Sequence, residues 1–109
     1  MILCVPVTDD DQVDPRWGRA QRVAVARVLD GAIDDWQVYD VSWDRLHDDG
    51  TPAQHHARVA RFLKEHDIEG VVAHHVGEGM MRMVGTMKLS LFLDATGDAR
   101  LAVVNAANA

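Results

Sequence analysis

The sequence predicts a single α/β domain over residues 1–109, a mixed five-stranded sheet flanked by helices in the order β-β-β-α-β-α-β-α. Three observations predict it. The N-terminal part alternates apolar and polar residues with period two, as antiparallel strands do. The C-terminal part alternates short apolar runs with helical stripes, which implies parallel strands joined by right-handed crossovers. Apolar residues make up 48% of the chain, enough for a core between layers.

The elements follow in order. Ile2 to Val7 is short, apolar and β-branched, and Thr8-Asp9-Asp10-Asp11 ends it. Asp9 to Gly18 reads as a polar loop punctuated by Pro15 and Gly18. Arg22 to Leu29 and Trp36 to Trp43 alternate on either side of Asp30-Gly31, which predicts an antiparallel hairpin with a connection longer than two residues. Asp44 to Gly50 is a second polar loop. Thr51-Pro52-Ala53-Gln54 carries a capping box, with proline at the first helical position. Ala57, Val59, Ala60, Phe62 and Leu63 form that helix's buried stripe. Gly70 to Ala73 is a short buried strand, Gly77-Glu78-Gly79 a turn, and Met80 to Met87 a short helix with Met80, Met83, Val84 and Met87 inward. Leu89 to Leu93 is a strand, and Thr96-Gly97-Asp98 opens a last helix.

Composition excludes several classes of function. A formal net charge of −6, with no basic run, disfavours a nucleic-acid partner. The apolar start lacks a positive leader and a cleavage site, and no long apolar stretch spans a membrane. The lone cysteine, Cys4, forms no internal disulfide, so a reducing cytoplasmic setting is expected. No serine–histidine–aspartate order and no Cys-X-X-Cys appears. The expectation is a binding protein, not an enzyme.

The residues with chemistry are few. His74 and His75 follow the fourth strand, at the carboxyl edge where open α/β sheets bind ligands, and imidazole there suits iron, zinc or copper. Adjacent strand side chains point to opposite faces, so a plainer reading sends one of the two to solvent. Gly77 and Gly79 precede a helix whose free amides attract anions. His55 opens the first long helix on its buried stripe and faces the sheet edge, whereas His56, His66 and the loop residue His47 read as solvated. Cys4 reads as a buried small hydrophobe, and the methionines as core filling. Arg19 offers a fork for a carboxylate, phosphate or sulfide, or an ion pair with the nearby aspartates.

A strand ending in Pro6-Val7, a loop, and then Trp17-Gly18-Arg19-Ala20 resembles the signature of the dinitrogenase iron-molybdenum cofactor biosynthesis family. Gly70-Val71-Val72-Ala73 with the Gly77-Glu78-Gly79 turn, and a later strand followed by Ala95-Thr96-Gly97, continue the likeness over nearly the whole chain. Members usually place histidine two positions before the signature glycine, where this chain has Arg16. The resemblance implies a ribonuclease-H-like fold. The nucleases of that fold hold magnesium through carboxylates on the first and fourth strands, and here both strands lack one. It also implies a carrier of an iron-sulfur or iron-molybdenum-sulfur cluster, working with cofactor-assembly proteins. Trp17, Gly18, Arg19, His74, Gly77 and Gly79 would hold the cargo, with His74, His75 and His55 as metal ligands. The rival reading is a module for a small anion or a protein partner, without metal.

Overall fold

The computed structural model describes all residues, 1–109. Its elements are β1 (Ile2–Val7), β2 (Arg22–Leu29), β3 (Ala32–Asp40), the one-turn helix α1 (Trp43–Leu46), α2 (Pro52–Glu65), β4 (Gly70–Val72), α3 (Glu78–Thr86), β5 (Ser90–Phe92) and α4 (Ala99–Ala107). The expected order holds, with α1 added in a stretch expected to be loop. The five strands form one sheet in the order β3-β2-β1-β4-β5. β1 pairs antiparallel with β2 and parallel with β4, so the meander and the crossover half of the chain meet at this central strand.

Period two in β1 builds both faces of the core. Leu3, Val5 and Val7 join Ala99 and Val103 of α4 on one side. Cys4 joins Val59 and Leu63 of α2 and Val84 of α3 on the other. The result is three layers, with α2 and α3 on one face of the sheet and α4 on the other. Cys4 is fully buried and its thiol is pushed far above the ordinary range by desolvation, so it is the inert hydrophobe that its position predicts. Gly70 is required by packing. A Cβ there would lie 2.7 Å from Leu3 Cδ2 and 3.1 Å from Phe92 Cε2.

Three expectations about boundaries need correction. The β2–β3 connection is not long: Leu29 pairs with Ala32, leaving only Asp30 and Gly31 in the turn. Both have positive φ, 53° and 78°, the signature of a type I′ turn. β3 therefore starts earlier than the alternation indicated, because polar Asp34 and Asp35 sit on a free edge where burial is not required. It also stops at Asp40, because Ser42 turns through a left-handed φ of 52° and delivers Trp43 to the core as the first residue of α1. Finally, α3 begins at Glu78, so Gly77 is its N-cap and Gly79 lies inside the helix, not in a separate turn.

Candidate functional site

A hollow of about 600 Å³ opens at the carboxyl edge of β1 and β4. Four segments line it: the loop Pro15 to Arg19, the His47–Gly50 loop, the start of α2, and the His75–Met80 segment that enters α3. This is where an open α/β sheet is expected to present its ligand crevice.

The first wall is a tight turn. The amide of Arg19 donates to the carbonyl of Arg16 at 3.0 Å. Gly18, third of the four turn residues, has φ +81°, which glycine adopts without strain. Asp14, 4% exposed, fixes the turn's entry by accepting from the Arg16 amide at 2.9 Å and from its guanidinium at 3.2 and 3.3 Å. That pairing holds the Arg16 guanidinium above its ordinary range. Trp17 plugs the turn into the core, edge-on to Trp43 with ring centroids 5.4 Å apart. Its Nε1 is the one buried side-chain polar atom without a hydrogen-bond partner.

His55 is the strut behind that wall. Its Nε2 lies 2.7 Å from the Gly18 carbonyl and its Nδ1 lies 2.9 Å from Arg58 Nη1. A carbonyl only accepts, so Nε2 carries the proton and Nδ1 accepts from arginine. Burial is the main cause that drives the imidazole pKa below its ordinary value, with Arg58, His47 and His56 adding to it against the Gly18 bond. His55 is thus neutral with both nitrogens engaged, which leaves neither free for a metal.

The opposite wall is the start of α3. Helix α2 satisfies its own N-terminus, since the Thr51 hydroxyl accepts from the Gln54 amide and the Gln54 side chain accepts from the Thr51 amide. Helix α3 does not. Gly77 gives no side-chain cap, and its carbonyl pairs first with the amide of Met81. The amides of Glu78, Gly79 and Met80 therefore have no acceptor within the chain. His56 packs over this turn, so that a Cβ on Gly79 would meet its Cε1 at 2.5 Å.

Of the residues expected from sequence, Trp17, Gly18, Arg19, Gly77, Gly79, His75 and His55 line one hollow. His74 does not; it is exposed beside it, its carbonyl accepting from the Asp94 amide at 3.1 Å. No three histidine, cysteine or carboxylate side chains converge on a metal position, so His74, His75 and His55 do not form a ligand set. Sequence reasoning missed His56 and His47, both expected in solvent and both lining the hollow. Nothing in the sequence singled out His56, because Gly79, the residue it packs on, reads there as part of a turn. His66 was also expected in solvent, yet its ring packs at a tilt on Tyr39 and Phe62, with centroids 4.6 and 4.3 Å away.

No helix is long and apolar enough to cross a membrane. No curated protein matches the sequence. The structure is similar to the crystal structure of PH0822, with TM-score 0.75, 17% identity, and coverage of 97% of this chain and 88% of that one. It is also similar to the apo form of the orange protein from Desulfovibrio gigas, with TM-score 0.73, 18% identity, and coverage of 98% and 87%. A putative NifB protein from Thermotoga has TM-score 0.71 and 16% identity, again with coverage of 98% and 87%. At these identities the likeness shows a shared fold. The model of the dinitrogenase iron-molybdenum cofactor family matches residues 1–109. The chain belongs to that family.

Proposed function

We propose that this chain is a non-catalytic carrier that holds an anionic metal–sulfur cluster, of the iron-sulfur or iron-molybdenum-sulfur kind, in the hollow between the Trp17–Arg19 turn and the start of α3. The carrying observation is the convergence of donors there without a set of metal ligands. The unpaired amides of Glu78, Gly79 and Met80, the helix dipole behind them, and the guanidinium of Arg19 all attract negative charge. A cluster that brings its own sulfur suits such a wall, because its surface sulfides accept hydrogen bonds. His75 and His56 each offer one imidazole at the rim. A bare divalent ion suits it poorly, since three protein ligands do not meet.

The lining also supports a carrier over an enzyme. It holds no serine, threonine, cysteine or tyrosine, and its single carboxylate, Asp48, stands beside His47 at 3.2 Å on the exposed rim. A carrier must release its cargo, and an open hollow with hydrogen-bond donors permits that. Cofactor-assembly proteins are the expected donors and acceptors of the cargo, in a cytoplasmic setting.

The test is anaerobic reconstitution with iron and sulfide, with and without molybdate, followed by absorbance and metal content. The reading expects a coloured, stoichiometric complex that is lost in Arg19→Glu and weakened in His75→Ala. Equal metal uptake by wild type and Arg19→Glu contradicts it. The uncapped α3 amides also favour a second reading, a site for a small oxyanion. Calorimetry with phosphate and molybdate separates the two: saturable heat without iron or sulfide supports the second.

A further inference from the structure

The sheet has an unprotected edge at β5, and its chemistry is self-complementary. β5 is the last strand, paired only with β4. The Ser90 amide, the Phe92 carbonyl and the Asp94 amide all point toward the β4 side, to Glu69, Ala73 and His74 respectively. The main-chain groups of Leu91 and Leu93 therefore face outward, with the Leu89 carbonyl, while the Leu89 amide is taken by Val84. Edges are normally blunted by charge, proline or a covering element. Here the run Leu89 to Leu93 contains none of the first two, Leu93 is 41% exposed, and an apolar hollow of about 490 Å³ between β5 and α4 adjoins it. The other edge, β3, carries Asp34, Asp35 and Asp40 and is protected in the ordinary way.

We propose that the free edge of β5 pairs with β5 of a second copy of this chain, antiparallel about a two-fold axis at Leu91, giving one continuous sheet across a homodimer. In that register Leu91 faces its own counterpart and Leu89 faces the second copy's Leu93. The outward groups then match: each Leu91 amide donates to the opposite Leu91 carbonyl, and each Leu93 amide to the opposite Leu89 carbonyl. The flanking charges match as well. Lys88 and Asp94 bound the run at opposite ends, both at positive φ where the extended strand stops, so an antiparallel two-fold brings the positive end of each run beside the negative end of the other. No other placement of the axis within the run sets the outward leucines against one another and the oppositely charged ends together. No residue of the run Leu89 to Leu93 lines the hollow described above, so this inference does not depend on the cargo.

Sedimentation velocity or light scattering over a concentration series tests it. The apparent mass should rise from 12.1 kDa toward twice that value with concentration. Leu91→Pro removes an amide that faces solvent, a position where an edge strand tolerates proline, and should leave a folded monomer at every concentration. Should that variant fail to fold, Lys88→Asp serves instead: it should weaken the dimer at least tenfold, and adding Asp94→Lys should restore it. A wild-type mass that stays at one chain up to about 1 mM, or dimers unaffected by these variants, overturns the proposal.

Discussion

The carbonyl of Gly18 accepts a hydrogen bond of 2.7 Å from His55 Nε2, joining two residues 37 positions apart. This bond ties the signature turn to the first turn of α2 and sets the shape of the hollow between them. Replacing His55 by leucine leaves the Gly18 carbonyl buried without a donor. The expected cost is about 1–3 kcal/mol in chemical denaturation. The turn should loosen while the sheet survives, so far-ultraviolet circular dichroism should change little.

Burial of the same imidazole, which outweighs the opposing pull of the Gly18 bond, gives a pH dependence with a definite sign. The folded imidazole has its pKa below the ordinary value of 6.5, so the unfolded chain takes up the proton first as pH falls. The stability contributed by neutral His55 is fully present above pH 6.5 and is lost as pH drops from there through the folded pKa. The slope attributable to this group is at most about 1.4 kcal/mol per pH unit. Urea midpoints measured across pH 7 to 5 should fall in the wild type and fall less steeply in His55→Leu.

Gly79→Ala separates stability from binding. The new methyl group would sit 2.5 Å from His56 Cε1, so the ring must swing away. An alanine inside α3 gains up to about 1 kcal/mol of helix propensity over glycine, which offsets the displacement. The thermal midpoint should therefore hold or rise, while uptake of an anionic cluster or thiometallate falls. Equal uptake would remove His56 and this turn from the site.

Gly18→Ala should be costly on both counts. The position needs φ +81°, and a Cβ there would also press on Met80 Cε at 3.3 Å. The left-handed conformation alone costs about 1–2 kcal/mol for a residue with a side chain. A matched Gly97→Ala variant has a similar φ, +77°, with no atom within 4 Å, so it reports the backbone cost by itself. Denaturation of both should place Gly18→Ala as the less stable.

Much of the fold was readable because it rests on local periodicity. The alternation in β1, the capping box at Thr51 and the stripe of α2 each specify one element without help from the rest. The β2–β3 turn was misjudged because Asp34 and Asp35 broke the alternation, although Asp30-Gly31 already carried type I′ chemistry. The site was readable in part. Glycines and the signature loop announce themselves by residue type, and the carboxyl edge of the sheet follows from topology. Which histidine does what does not follow, because it depends on helix rotation and on long-range contacts. His55 and His56 are neighbours in sequence, yet one is a buried strut and the other lies on Gly79 at the rim. His74 and His75 divide in the same way, with only His75 lining the hollow.

The central claim is that unpaired amides at the start of α3 and the Trp17–Arg19 turn together receive an anionic metal–sulfur cargo. An anaerobic amide-resolved NMR titration with tetrathiomolybdate measures this directly. The account predicts saturable shifts that are largest at Glu78, Gly79 and Met80, accompanied by Gly18, Arg19 and the Trp17 indole. Saturable shifts centred on α4 or β3 instead, or no shift at a large excess of the anion, would contradict it.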